Sequence, residues 1–223
     1  MEPGTRRVDA VLFDLDGVLT DSEPWWDDVR VEFARVHDRP WTPEDQHAVM
    51  GANSPEWAEI MRTRLRLEHL DADVIQEAIV DGVVERYRTL PSPVIAGAPA
   101  QVRRIAAGRP VAIASSSHRR VIEAAVDALG LHDVFAAVVS SDEVSRGKPA
   151  PDVYLLAAER LGVAAERCVV VEDSLNGVRA GKAAGAYVVL VPNPSVPPAG
   201  DARDRADLVL ERLDDLDPDR LPA

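Results

Sequence analysis

From residue 91 onward, short apolar runs alternate with helical segments, and this alternation constrains the fold more than any other feature of the sequence. Runs rich in valine and alanine, at residues 111–114, 168–171 and 187–191, are typical of strands that are buried on both faces. Several of the helical segments between them end at a glycine, as helices commonly do. The pattern predicts an α/β fold in which a parallel sheet carries helices on both faces.

A further strand is predicted at residues 8–13, and a long helical stretch separates it from the alternating region. This stretch shows no strand pattern and contains all four tryptophans. Prolines stand at or near the start of several of its helical segments, as helix entries favour. The segments are predicted at residues 24–37, 43–50, 55–68 and 72–87. We therefore expect an inserted all-α cap domain at residues 22–90 and an α/β core made of residues 1–21 and 91–223.

The composition excludes several classes of protein. The formal net charge is -13 at pH 7, whereas general binding of nucleic acid needs a basic surface. No apolar run approaches the ~20 residues of a membrane span, and the N-terminus has no apolar signal region. Cys168 is the only cysteine, so no internal disulfide can form. We expect a cytoplasmic monomer that binds neither nucleic acid nor membranes.

An acidic pair stands where the first predicted strand ends. Asp14 and Asp16 follow the apolar run directly, and Gly17 lets the chain turn tightly beyond it. In an open parallel sheet, ligands bind beyond the carboxyl ends of the strands, so both carboxylates are placed where chemistry is expected. Taken alone, the pair also fits a strand that ends in a solvated acidic turn. The residues that follow the other strands favour the first interpretation.

Polar side chains follow the remaining predicted strands at what should be the same edge of the sheet, namely Ser115, Lys148, Glu172 and Asp173. Carboxylates gathered at one edge repel one another unless a cation lies between them. A hard divalent ion relieves this repulsion, and Mg²⁺ is the usual choice when a phosphate completes its shell. Lys148 could help to neutralise a phosphate, while Ser115 and backbone N–H groups bind its oxygens. An aspartate can attack phosphorus, and a second carboxyl can transfer the proton.

Four stretches of the sequence resemble the motifs of one known family. They are residues 14–23 (DLDGVLTDSE), 114–117 (ASSS), 148–154 (KPAPDVY) and 172–177 (EDSLNG). In this order, each at a predicted strand end, they resemble the haloacid dehalogenase (HAD) superfamily, in its β-phosphoglucomutase-like phosphatase branch with a helical cap. The resemblance covers nearly the whole chain. It implies a Rossmann-like core and Mg²⁺-dependent phosphoryl transfer through an aspartyl phosphate.

The resemblance also implies a role for each acidic residue of the motifs. Asp14 would be the nucleophile and a metal ligand. Asp16 would be the general acid and base, with its backbone carbonyl on the metal. Asp173 would bind Mg²⁺ directly, and Glu172 would bind it directly or through water.

Phosphate and substrate contacts are implied in the same way. Ser115, Ser116 and Lys148 would hold the phosphate group. The rest of the substrate would meet residues of the cap and of its borders, where the sequence is less diagnostic. The candidates for these contacts are Glu23, Trp26, Gly51, Asn53 and His118.

Related chemistries of this family differ at single positions. Dehalogenases need neither a metal nor a proton-donating partner, so Asp16 and Asp173 argue against that reaction. Phosphonate-cleaving relatives form a Schiff base on a cap lysine, and residues 22–90 contain no lysine. The phosphoglucomutases carry a histidine near the start of the cap, where this chain has Trp26. The sequence favours a phosphatase of small phosphorylated metabolites, and sugar phosphates are the favoured substrates. A β-phosphoglucomutase-type mutase and a non-catalytic phosphometabolite-binding protein are the alternatives.

Overall fold

The computed structural model describes residues 7–50 and 52–221 of the chain. Within these residues one parallel sheet forms the centre of the fold. Its strands are β1 (Ala10–Phe13), β2 (Val111–Ser115), β3 (Ala137–Ser140), β4 (Cys168–Glu172), β5 (Tyr187–Leu190) and β6 (Leu208–Val209). Their order across the sheet is β3-β2-β1-β4-β5-β6, and every neighbouring pair is parallel. The predicted Rossmann-like α/β fold is confirmed.

The register of the central strands aligns the ends of β1, β2 and β4, so the turns that follow these strands lie side by side. Phe13 at the end of β1 pairs with Ile113 of β2 on one side and with Val171 of β4 on the other. The residues that follow Phe13 therefore leave the sheet beside the ends of β2 and β4. This alignment brings the acidic pair after β1 next to the polar residues after the neighbouring strands.

Helices cover both faces of the sheet, because strand residues of alternate parity point to opposite sides. They are α5 (Ala98–Ala106), α6 (Arg119–Ala128), α7 (Asp152–Arg160), α8 (Leu175–Ala183) and the short α9 (Ala202–Arg205). One apolar cluster joins residues such as Val11 and Phe13 to α5 and α6, and a second joins Leu12 to α7 and α8. The core strands β1, β2, β4 and β5 are buried throughout, as their valine-rich sequences predict.

Between β1 and α5 the described part of the chain forms four helices, namely α1 (Glu23–Val36), α2 (Pro43–Val49), α3 (Ser54–Arg64) and α4 (Ala72–Thr89). The short helix α2 begins with a capping box in which Thr42 Oγ1 accepts from the backbone N–H of Asp45. Asn53 forms the same arrangement at the start of α3. The four helices pack on one another, and α4 also packs on α6. Their separation as a cap domain at residues 22–90 stays a prediction.

One predicted helix is too long. The third helical segment was expected to reach residue 68, but α3 ends at Arg64. The physical reason is the backbone of Arg66, which adopts φ 53 in the left-handed region and cannot continue a right-handed helix. Among the described residues, no helix combines the length and the apolar character that a membrane crossing requires.

Candidate active site

A cavity of about 160 Å³ lies between the carboxyl ends of the central strands and helices α1–α3. The turns after β1, β2 and β4 supply most of its polar lining, to which the loop after β3 adds Lys148 and one face of α1 adds further side chains. The lining residues are Asp14, Asp16, Gly17, Glu23, Trp26, Arg30, Val49, Met50, Ala52, Trp57, Ser115, Ser116, Ser117, Lys148, Asp173, Ser174, Asn176 and Val196. Most of the residues singled out from the sequence thus meet at one cavity.

Lys148 lies between two carboxylates at the floor of this cavity. Its Nζ is 2.5 Å from Asp14 Oδ1 and 2.6 Å from Glu172 Oε1, and its side chain is only 5% exposed. The Tyr154 hydroxyl donates to the same Glu172 oxygen at 2.6 Å. Burial alone would lower the pKa of Lys148, but the two carboxylates raise it above its ordinary value. The ammonium is therefore charged at neutral pH.

The two carboxylates that contact Lys148 titrate differently. Burial raises the pKa of Asp14 to about 7, with Lys148 opposing the rise and Glu172 adding to it. Burial would also raise the pKa of Glu172, but the charge and hydrogen bond of Lys148 lower it below its ordinary value. Asp14 is therefore the member of the pair whose charge responds most to a further cation or a bound ligand.

Glu172 is held by hydrogen bonds on both oxygens. Besides the two donors on Oε1, its Oε2 accepts from the backbone N–H groups of Asp173 and Ser174 and from Ser174 Oγ, at 3.0–3.1 Å. A Cβ at Gly177 would lie 1.7 Å from Glu172 Oε1, so only glycine lets α8 begin this close to the carboxylate. These contacts make Glu172 an anchor for Lys148 and for the turn after β4.

Asp14, Glu172 and Asp173 form an acidic cluster in which one carboxylate oxygen from each lies within 4.8 Å of the others. Burial raises the pKa of Asp173 well above its ordinary value, and the charges of Glu172 and Asp14 raise it further. Gly17, with φ +84, permits the close approach of the two turns, because a Cβ there would lie 2.0 Å from Asp173 Oδ2. Buried, mutually repelling carboxylate oxygens are a donor set that fits a hard divalent cation such as Mg²⁺.

Asp16 is oriented by two serine hydroxyls. Ser22 Oγ donates to Oδ1, and Ser117 Oγ donates to Oδ2 at 2.7 Å. Burial raises the pKa of Asp16, and these two hydrogen bonds oppose the rise. The side chain is thus fixed in place while its proton affinity is increased, which suits a group that must both give and take a proton.

The end of β2 provides the serines expected to bind phosphate. Ser115 and Ser116 line the cavity, and Ser115 Oγ accepts from the backbone N–H of Ser117 at 3.1 Å. The chain then enters α6 through His118, whose Nδ1 accepts from the Arg120 backbone N–H at 3.2 Å. His118 was expected to contact substrate, but it is not among the described residues that line the cavity.

Only some of the candidate substrate contacts in the inserted helices line the cavity. Glu23 and Trp26 line the cavity, whereas Asn53 caps α3 by accepting from the backbone N–H of Glu56 at 3.1 Å. Burial raises the pKa of Glu23 to about 6, and the nearby charge of Asp16 contributes to the rise. Gly51 lies outside the described residues.

Several residues of the site received no role from the sequence, and three of them illustrate this. Arg30 lines the cavity, Ser117 holds Asp16, and Tyr154 holds Glu172. A signal for Arg30 was present, because it follows Glu23 by seven residues and Trp26 by four, and such spacings share one helix face.

The loop after β5 forms a further wall of the site. Asn193 Nδ2 donates to Asp21 Oδ1 at 3.0 Å, and Ser195 Oγ donates to Asp21 Oδ2 at 2.6 Å. Val196, the next residue, lines the cavity. Asp21, which belongs to the first motif, therefore ties this proline-rich loop to the turn that carries the acidic pair.

Comparison with known proteins identifies the class of enzyme. The sequence matches the haloacid dehalogenase-like hydrolases over residues 8–185, and the chain belongs to this family. The bifunctional riboflavin kinase/FMN phosphatase of Arabidopsis thaliana is 32% identical over 93% of this chain, which spans only 54% of that protein. Hexitol phosphatase A of Escherichia coli K12 is 34% identical, with 94% of each protein covered. Fructose-1-phosphate phosphatase YqaB of the same strain is 33% identical over 81% of this chain and 94% of the relative.

Solved structures agree with this assignment. CbbY from Rhodobacter sphaeroides, crystallised as a mutant with xylulose-(1,5)bisphosphate, has a TM-score of 0.77 and 28% identity, over 94% of this chain and 96% of that chain. A β-phosphoglucomutase from Clostridium difficile has a TM-score of 0.79 over 94% of this chain and 93% of that chain. Its identity is 19%, so this second likeness shows the fold alone.

Proposed function

We propose that this enzyme is a Mg²⁺-dependent phosphatase that hydrolyses small phosphorylated metabolites, chiefly sugar phosphates, through an aspartyl phosphate on Asp14. The observation that carries the proposal is the contact of Lys148 with Asp14 in a cavity that also contains Asp16 and Asp173. One small space thus offers a nucleophile, a proton carrier, a cation for phosphate and acidic metal ligands. We expect the enzyme to act as a cytoplasmic monomer, without nucleic-acid or membrane partners.

The metal ligands we propose are the carboxylates of Asp14 and Asp173 and the backbone carbonyl of Asp16. Glu172 is better suited to an indirect role, because its two oxygens already accept five hydrogen bonds. When bound, Mg²⁺ would offset the charge of the acidic cluster and of the phosphate, and would lower the pKa of Asp14.

The proposed reaction has two steps, both carried by residues of this chain. A carboxylate oxygen of Asp14 attacks phosphorus, the bond from phosphorus to the ester oxygen breaks, and Asp16 gives that oxygen a proton. Water then attacks the aspartyl phosphate and passes a proton to Asp16. Inorganic phosphate leaves, and Asp14 returns to a carboxylate. Lys148 and Ser115 bind the phosphate oxygens through both steps.

The substrate class rests on the relatives and on the shape of the site. Two of the relatives are named hexitol phosphatase and fructose-1-phosphate phosphatase. A cavity of about 160 Å³ admits a compact metabolite rather than a macromolecule. Trp26 supports hydrolysis over the mutase alternative. Its indole is buried, with its ring centre 6.1 Å from that of Trp57, and it offers no group that could shuttle a proton. The presence of Asp14, Asp16 and Asp173 together argues against a non-catalytic binding protein.

Phosphate release from sugar phosphates and from p-nitrophenyl phosphate tests this proposal. We expect hydrolysis with Mg²⁺, none with a chelator, and recovery when Mg²⁺ is added back. Ca²⁺ should substitute poorly, because its larger shell would misplace the nucleophile. Undiminished activity in chelator would contradict the metal assignment. Conversion of β-glucose 1-phosphate to glucose 6-phosphate with little phosphate release would favour the mutase.

A further inference from the structure

Arg30 is a buried cation of α1 that the catalytic groups do not use. It is 5% exposed, lines the cavity and donates from Nη1 to Gln46 Oε1 at 3.2 Å. Within residues 7–50 and 52–221, its Nε has no hydrogen-bond partner, and its guanidinium forms no ion pair. The bond to Gln46 is the only hydrogen bond of this guanidinium among the described residues, so its other N–H groups can donate to a ligand in the cavity that Arg30 lines.

The guanidinium is held in place by its neighbours. Its central carbon lies 5.2 Å from the ring centre of Trp26 and 5.7 Å from that of Trp57, within the range of cation–π attraction. Gln46, which accepts from Arg30, also accepts from Trp41 Nε1 at 3.3 Å. Residues from α1, α2 and α3 therefore fix the guanidinium, and a donor that is fixed before binding loses little entropy when it binds.

Glu23 supplies an acceptor on the same face of α1. Among the described residues, no donor or cation is within hydrogen-bond or ion-pair distance of its carboxylate. Arg30 attracts it electrostatically from beyond ion-pair distance. Glu23, Trp26 and Arg30 follow one another at spacings of three and four residues and all line the cavity. We call these three residues the α1 clamp. It presents a free acceptor, an indole and a free donor side by side.

A hydroxylated carbon chain matches this arrangement better than a second anion does. A hydroxyl group both donates and accepts, so it can use both ends of the α1 clamp, while the C–H groups of the chain pack on the indole of Trp26. A second phosphate or carboxylate would be attracted to Arg30 but repelled by Glu23 and by the nearby Asp16.

We propose that the α1 clamp binds hydroxyl groups of the leaving alcohol, and that Arg30 is the specificity residue that makes this enzyme prefer phosphorylated polyols. The proposal rests on the phosphatase function proposed above and names the part of the substrate that the inserted helices recognise. It concerns the alcohol that leaves, whereas Asp14, Asp16 and Lys148 act on the phosphate.

Three substrates of equal carbon length test the proposal: sorbitol 6-phosphate, n-hexyl phosphate and hexane-1,6-diol bisphosphate. The protein is assayed with Mg²⁺ as wild type and as Arg30→Met, which keeps an apolar side chain of similar length. We expect Arg30→Met to lose about 10- to 100-fold in kcat/KM on sorbitol 6-phosphate, the range for a hydrogen bond from a charged group. The loss on n-hexyl phosphate should be at least tenfold smaller. The control Arg35→Met, an exposed position of the same helix paired with Glu32, should change neither.

The outcomes separate this proposal from the one on which it rests. Equal losses on all three substrates would show a merely structural role for Arg30 and overturn the proposal. A loss confined to the bisphosphate would overturn it in favour of a second anion site. If the wild type releases phosphate from none of them, the phosphatase proposal fails. Calorimetric binding of the same three compounds to Asp14→Asn, with and without Arg30→Met, still tests the α1 clamp in that case, and equal affinities would refute it.

Discussion

Replacing Asp14, the proposed nucleophile, with asparagine should stabilise the metal-free protein at high pH. Burial raises the pKa of Asp14 from 3.8 to about 7, so its ionised form opposes folding. Below pH 3.8 the carboxyl is protonated in both states, and this contribution vanishes. As the pH rises to about 7, stability is lost, and the linked free energy reaches about 4 kcal/mol. Asn at this position resembles the protonated form, and its oxygen can still accept from Lys148.

Urea unfolding in the presence of a chelator measures the effect, with tryptophan fluorescence as the signal. We expect Asp14→Asn to raise the free energy of unfolding by up to about 4 kcal/mol near pH 8, and by much less near pH 4. Asp133→Asn, at an exposed position, is the control and should change little at either pH. Added Mg²⁺ should stabilise the wild type more than Asp14→Asn, because binding to the folded state adds stability by mass action.

Two results would refute the reasoning about Asp14. If Asp14→Asn is no more stable than the wild type near pH 8, the buried carboxylate does not oppose folding. If the gain is the same near pH 4 and pH 8, it has a cause other than the charge of Asp14.

Further predictions concern Lys148, Gly177 and the buried Cys168. Lys148→Met should lower the free energy of unfolding by about 3–5 kcal/mol near pH 8, because it leaves buried carboxylates without their cation. Lys148→Arg should not restore full activity, since a planar fork cannot replace a compact ammonium. Gly177→Ala should abolish phosphate release by displacing Glu172. Gly162→Ala, whose Cβ meets nothing within 4 Å, should retain it and lose only about 1–2 kcal/mol of stability, because alanine is strained at φ +67. Burial raises the pKa of the Cys168 thiol to about 11, so iodoacetamide at pH 8 should label it only after unfolding, and rapid labelling of the native protein would contradict this.

Much of the fold follows from local sequence. The strands around Phe13, Ile113 and Val171 are short apolar runs, and parallel strands bring their carboxyl ends to one edge. The acidic pair, Lys148 and Asp173 could therefore be assigned to one site before their distances were known. The exact end of α3 could not be predicted. Arg66 has a left-handed backbone, but no glycine or proline at that position indicates it in the sequence.

The parts of the site that sequence did not reveal depend on packing between distant elements. Arg30 looks like a surface cation of a polar helix, but in the fold it is buried against Trp26 of its own helix and Trp57 of α3. From its position in the fourth motif, Glu172 could have been a direct ligand of the metal. The hydrogen bonds from Tyr154 of α7 and from Ser174 at the start of α8 favour an anchoring role instead.

The central claim is that Asp14 carries the phosphoryl group, and trapping the phosphoenzyme tests it most directly. p-Nitrophenol leaves without needing a proton, so Asp16→Asn should still transfer phosphate to Asp14 but fail to activate water. Mixed with p-nitrophenyl phosphate and Mg²⁺, this variant should release one nitrophenolate per site in a burst, and mass spectrometry after acid quench should find the phosphate on Asp14. Asp14→Asn should show neither the burst nor the adduct. Steady phosphate release without a burst, or a phosphate found on another residue, would contradict the account.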